Sequence, residues 1–391
     1  MKMSTAAVSG SYLLRYGDRY FEANERVVDL LRTLQTYPDV ESSVTVYIEK
    51  CNGRYTSEQV RDFINKAIMP ILSTSDKKKQ RQFLYEKELL TASSVDQVSD
   101  VLSILFNRWI MTAVIIITLV ADIYFMATSS GMRRVHGNVN VYLIFGLLLF
   151  LFASSFFHEL GHAAACKRFG IRHGGIGFGM YLTFPVLYTD VTQAWELRRC
   201  KRLVVNIAGI YFQFFILTAI LCGYFITSND ILRYLALAMN LGFLLAMNPF
   251  FRFDGYWIAT DLLGVPNLRL HSRTLAKYLW QRIRGKHIIE KPYLLRIVGW
   301  EKWGLAVYSV AVTLFMGYYF CYIIPIFVYE FIKTFPTVAE EALKYAASGV
   351  TPPFAIMHNI FGQLLFLAMI GYMLYGLSRP YINRIRRNRH P

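Results

Sequence analysis

The sequence predicts a mainly α protein: a polytopic membrane helix bundle of about six spans, preceded by a small N-terminal α+β domain of winged-helix-like pattern. Three observations predict it. From about Trp109 onward, apolar stretches recur at close to the ~20 residues that an α-helix needs to cross a bilayer. Of the 391 residues, 54% are hydrophobic and only 17% are charged, whereas a soluble chain carries ~25% charged residues. Residues 1–80 lack such stretches and read as a hairpin followed by short helices.

That N-terminal region is justified element by element. Ser11 to Tyr16 and Arg19 to Ala23 flank Gly17-Asp18, a hairpin signal. Asn24 is placed to cap a helix that carries Val27, Val28, Leu30, Leu31 and Leu34. A second helix is expected over Val40 to Glu49. Thr56 starts a third, with Gln59 where a capping box needs it and Val60, Phe63, Ile64 and Ile68 at helical spacing. Arg15, Asp18, Arg19, Glu22, Glu25 and Arg26 leave residues 1–30 without an apolar core, so no cleavable signal peptide is expected. Residues 81–108 read as a basic linker, opened by Lys77-Lys78-Lys79-Gln80-Arg81, and an amphipathic helix over 95–106 lying along the membrane surface.

The membrane domain is expected over 109–377, with spans at roughly 109–127, 141–165, 204–226, 233–251, 304–328 and 355–377. A basic tail, 378–391, follows. The net charge of +16 would suggest nucleic acid in a soluble chain, but here it follows topology. The loop 166–203 holds Lys167, Arg168, Arg172, Arg198, Arg199, Lys201 and Arg202, and 252–303 and the tail are also basic. The opposite loops carry Arg133, Arg134, Lys333 and Lys344 beside Glu330, Glu340 and Glu341. The positive-inside rule then puts both termini in the cytoplasm, so no nucleic-acid partner is expected. The cysteines, Cys51, Cys166, Cys200, Cys222 and Cys321, form no C-x-x-C pair and read as small apolar residues.

One stretch breaks the apolar pattern. Phe156-Phe157-His158-Glu159-Leu160-Gly161-His162 places ionisable groups inside the second span. Ionisable residues at that depth are functional candidates by default. H-E-x-x-H on a helix sets two imidazoles on one face, one turn apart, so that they can share a metal ion. His158 lies nine residues before Lys167, roughly 13 Å along a helix axis, which is buried but near cytoplasmic water. The fourth span ends in Asn248-Pro249-Phe250-Phe251-Arg252-Phe253-Asp254-Gly255, so Asp254 is expected at the same level. Two His and one Asp with an open position is the pattern of a catalytic zinc. Asn248 has two readings, hydrogen bonding to a substrate backbone or pairing with carbonyls freed beside Pro249.

These residues carry a resemblance. The run His158-Glu159-Leu160-Gly161-His162 with Asn248-Pro249 and Asp254-Gly255 resembles the site-2 protease family of intramembrane zinc metalloproteases. Pro185-Val186-Leu187-Tyr188-Thr189-Asp190-Val191, Ala194-Trp195 and Arg252-Phe253-Asp254-Gly255-Tyr256 are similar to its peptide zinc metalloprotease branch. The likeness covers roughly 140–270. Where that family often has Ala-Gly-Pro, this chain has Ala208-Gly209-Ile210. The resemblance implies one zinc ion on His158, His162 and Asp254, and Glu159 as the catalytic acid/base. It also implies a peptide or membrane-protein substrate, maturation or export of a peptide, and a bacterial cytoplasmic membrane. The first 80 residues weakly resemble the small domains that hold leader peptides of ribosomally made, modified peptides.

Residues 171–190, rich in glycine, are expected as a strand pair or re-entrant hairpin whose edge is able to take an extended peptide. The rival functions are a non-proteolytic zinc-containing membrane subunit of peptide export or immunity, and a di-iron oxygenase. The second needs more histidine clusters than one H-x-x-x-H. His136, His173, His271, His287, His358 and His390 match no ligand spacing.

Overall fold

The computed structural model describes residues 2–5, 11–16, 19–37, 39–69, 85–129, 141–181, 184–285, 292–295, 297 and 299–389. The chain divides into two compact units, Met1–Arg81 with Trp195–Arg199, and Gln82–Ala194 with Cys200–Pro391. Gly17-Asp18, the run Lys77 to Arg81, Arg133, Arg134, His136, His287 and His390 lie outside the described residues.

The first unit holds an antiparallel sheet in the order β1 (Lys2–Thr5), β2 (Ser11–Tyr16), β3 (Arg19–Asn24). The strand β1 adds to the expected hairpin, with Lys2 opposite Arg15 and Thr5 opposite Tyr12. Helix α1 (Glu25–Thr36) starts where the Asn24 side chain accepts a bond from the Val27 amide at 2.9 Å. Asp39 caps α2 (Val40–Lys50) through the Ser42 amide, also at 2.9 Å. Thr56 and Gln59 form a reciprocal capping box on α3 (Ser57–Phe63), which continues as a π turn, Ile64–Ile68. Val28, Leu30, Leu31, Val44, Val60, Ile64 and Ile68 are buried together with Leu14 and Ala23. Their spacing places them on the inner faces of three short helices that none of them stabilises alone.

The second unit is mainly helical, with five helices long and apolar enough to cross a membrane. It opens on β4 (Tyr85–Leu90), inside the stretch read from sequence as a linker. All six β4 residues are exposed, so the period-two pattern that betrays a half-buried strand is missing. Helix α4 (Ala92–Leu102) and a 3-10 turn (Ser103–Phe106) follow. Val95 of α4 is buried in one cluster with Ala163 and Ile176, against Phe156 and Leu160. The amphipathic segment is thus packed on the site region, while Val98, Val101 and Ile104 stay exposed.

Helices α5 (Arg108–Thr128) and α6 (Val141–Arg168) come next. The hairpin β5 (Ile176–Tyr181) and β6 (Phe184–Thr189) joins β4 in an antiparallel sheet ordered β4-β5-β6. Helix α7 (Arg199–Thr227) and α8 (Asp230–Ala246) are joined by two residues, Ser228 and Asn229. With 17 residues, α8 is shorter than the predicted 233–251 span and is not among the five. It ends before Asn248 and Pro249, where a proline has no amide to continue the ladder. Helices α9 (Asp254–Leu263) and α10 (Leu268–Ile283) follow, then α11 (Trp300–Tyr318), a π turn (Tyr319–Ile323) and α12 (Ile324–Ala347). Those last three run on as one apolar helix of 48 residues. Helix α13 spans Phe354–Arg389, so the basic tail continues the last helix instead of leaving it at residue 378.

Candidate metal centre

The site is built on α6. His158 and His162 are one turn apart, and their Nε2 atoms lie 3.1 Å from each other. The first residue of α9 supplies the third group. Asp254 Oδ2 is 2.8 Å from His158 Nε2, and Oδ1 is 3.5 Å from His162 Nε2. Among the described residues this is the one group of three or more His, Cys, Asp or Glu placed to hold a metal ion. The three side chains expose only 12%, 8% and 20% of their surface, so water screens them weakly.

Two glycines let the helices come this close. A Cβ on Gly161 of α6 would run into the Ala208 carbonyl and Phe212 of α7. A Cβ on Gly209 of α7 would occupy the His158 ring. The neighbouring Ile210 is buried.

The protons on both imidazoles are assigned by their partners. Gln213 Nε2 donates to Ser154 Oγ at 2.8 Å, so Gln213 Oε1 faces His158 Nδ1 at 3.0 Å and accepts from it. His162 Nδ1 lies 2.8 Å from the Val205 carbonyl, which can only accept. Each ring therefore carries a proton on Nδ1, turned outward, and presents Nε2 to the site, the atom through which it could ligate a metal ion. Two Nε2 atoms and a carboxylate converge there. Three ligand atoms on tetrahedral arms of ~2.0–2.1 Å stand ~3.3 Å apart. The two imidazole nitrogens, 3.1 Å apart, come close to that value, while Asp254 brings Oδ2 to 2.8 Å from His158 and Oδ1 to 3.5 Å from His162, and two imidazoles with a carboxylate suit a divalent metal ion.

The Asp254 loop is held from several sides. Asn248 Oδ1 accepts from the Phe250 amide at 2.8 Å, closing the turn around Pro249. The bond is from an amide, not to one of the carbonyls freed beside the proline. The Tyr308 hydroxyl donates to the Pro249 carbonyl at 3.1 Å, and the Arg252 amide donates to the Tyr181 hydroxyl at 3.2 Å. Phe250 stacks on Phe315 at 4.6 Å, and Phe251 meets Tyr319 edge-on. Gly255 is required because a Cβ there would strike the Met247 carbonyl, where the chain folds back. Comparison with protein-family models, with curated proteins and with solved structures gives no match.

Glu159 is buried next to His158, and its carbonyl accepts from Thr189 Oγ1 of β6 at 3.3 Å. The strand β6 forms one edge of its sheet. The remaining described histidines stand apart: His173 bonds the Gly174 carbonyl, and His271 stacks on Tyr293. Sequence reading missed Ser154, Gln213 and the Val205 carbonyl. Gln213 had a signal, a lone amide inside the apolar run Tyr211 to Leu217. A backbone carbonyl leaves none.

Proposed function

We propose that this chain is an intramembrane zinc metalloprotease of the site-2 protease kind, cutting a peptide bond near the cytoplasmic face during maturation or export of a peptide. The observation that carries the reading is the convergence of the Asp254 carboxylate with two imidazoles, beside Glu159 on a helix long and apolar enough to cross a membrane. In this reading α8 is a sixth, short span, both termini are cytoplasmic, and the first unit is a winged-helix-like domain. A peptide held by that domain would have a raised local concentration at the site.

The residues divide the work. His158, His162 and Asp254 would hold the ion, with Gln213 and the Val205 carbonyl fixing the two rings. A divalent ion bound there would polarise the scissile carbonyl and make water a better nucleophile near neutral pH. Glu159 takes a proton from the attacking water and passes it to the leaving amine. The edge of β6, tied to Glu159 through Thr189, offers main-chain hydrogen bonds to an extended substrate. The apolar wall of α6 and α7 keeps bulk water from weakening these interactions.

The test compares wild type with Glu159→Gln at equal zinc occupancy, reading cleavage of a fluorogenic peptide panel and of a candidate precursor. Loss of ~10²–10⁴-fold in rate with zinc retained is expected. Unchanged cleavage by the zinc-loaded variant excludes proteolysis at this site. Zinc binding by a wild type that cleaves nothing favours the non-proteolytic subunit.

A further inference from the structure

We propose that Arg202, Asn206 and Asp261 form a buried clamp that positions the metal ligands; the role rests on the metalloprotease reading above. Asp261 lies seven residues after Asp254 in α9, two turns on and on the same side of that helix. It is only 3% exposed. Both of its carboxylate oxygens are engaged by α7: Arg202 Nε donates to Oδ1, and Asn206 Nδ2 donates to Oδ2 at 2.7 Å. Arg202 and Asn206 are one turn apart on α7. Between them sits Val205, whose carbonyl accepts from His162 Nδ1 at 2.8 Å.

One helical turn therefore does two jobs. Its backbone fixes the ring of His162, and its side chains fix the helix that begins with Asp254. The opposite end of α9 hangs on a non-helical loop, held by Tyr181 and Tyr308. Core packing through Tyr256 and Leu263 keeps α9 in place without the clamp, but the clamp is what ties its angle, and with it Asp254, to the α7 turn that holds His162. A buried ion pair is a weak device for stability, because the cost of desolvating two charges offsets their attraction. What it does supply is direction: two charge-assisted bonds to one carboxylate leave little freedom in angle. Arg202, Asn206 and Asp261 are positioning residues here, acting on the ligands and not on substrate.

The experiment uses the full chain in detergent and measures zinc affinity by chelator competition together with the thermal midpoint. Two variants are compared with wild type: Asp261→Asn, which keeps the shape and removes the charge, and the pair Arg202→Met with Asp261→Leu, which removes both charges and keeps the volume. Zinc affinity is expected to fall about 10–100-fold in both, as for other groups that orient metal ligands. In the paired variant this fall is expected at a thermal midpoint, taken without zinc, close to wild type. Restoring a carboxylate with Asp261→Glu should recover part of the affinity. Affinity within twofold of wild type in the folded variants would overturn the clamp and leave the site reading intact. A wild type that binds no zinc would overturn the site reading, and the clamp with it.

Discussion

Gly209 sits where any side chain would share space with the His158 ring. Substituting Gly209→Val should therefore push the imidazole away from its partners, and a misplacement of ~1 Å at a reacting centre costs ~10²-fold in rate. Zinc affinity and peptide cleavage should fall together, and wild-type zinc binding in Gly209→Val would show that the ring moves freely. Gln213→Leu acts on the same ring differently. It keeps the volume but removes the acceptor for His158 Nδ1–H, so the ring loses its fixed tautomer, and zinc affinity should fall about 10–100-fold. At this scale the sequence is informative wherever a polar side chain breaks an apolar run. His158, Glu159 and His162 announce themselves that way, and Asp254 does so through Pro249 and Gly255. Asp261 and Gln213 carry the same kind of signal but match no ligand spacing, so only the fold reveals their partners. The Val205 carbonyl is silent, because every residue has one.

At the scale of elements, the helix starts at Asn24 and Thr56 were legible because capping is local chemistry. Asn24 and Thr56, and Asp39 as the structure adds, each satisfy amides within three residues of themselves. Thr56→Ala should cost about 1 kcal/mol through the lost cap, read as a lower unfolding midpoint of the first unit in the full chain. Asp39 adds a pH dependence. Its bonds from the Ser42 amide and side chain hold its carboxyl below the usual range. The lowered folded value means that the cap is fully present above the unfolded pKa near ~4 and is lost as pH falls through the folded one. Protection of the first α2 amides, taken relative to their intrinsic exchange rate at each pH, should therefore fall at acid pH in wild type. Asp39→Asn, which caps without a charge, should flatten that part of the profile; an unchanged profile would remove Asp39 as its source. The strands β1 and β4 were not legible. A strand of four residues, or one exposed on every side chain, leaves its evidence in the partner strand across the sheet and not in its own pattern.

At the scale of the whole membrane domain, the long helix carries a prediction about depth. Its 48 residues extend ~72 Å at 1.5 Å each, more than twice the ~30 Å hydrocarbon core, so over half of it lies outside that core or along its surface. The antiparallel partner α13 decides which part. Phe327 packs on Phe366 at 4.0 Å, and Gln363 Nε2 donates to Thr334 Oγ1 at 3.3 Å. Phe366 is near the middle of the apolar stretch Ala355–Gly376. If that stretch is centred in the bilayer, so is Phe327, and ~20 residues around it are buried in lipid. The sequence reading puts the span at 304–328, about ten residues earlier, from hydropathy alone, which carries no information on the partner helix. With Phe327 centred, Phe315 lies ~18 Å and Tyr308 ~28 Å along the helix from it, at and beyond the edge of the hydrocarbon, so the Asp254 loop that they hold would be within reach of water. That placement also agrees with the Ser272–Ser309 bond at 2.9 Å, which ties that part of α11 to the basic helix α10. Single cysteines in a cysteine-free background should answer the question with a membrane-impermeant maleimide added from the cytoplasmic side. Cysteine at Val307 should label readily, and cysteines at Tyr329 and Ile332, both exposed on the protein surface, should be protected. Protection at Val307 together with labelling at Ile332 from the opposite side would return the span to 304–328, and would require the helix to bend at its π turn, Tyr319–Ile323, to keep Phe327 against Phe366.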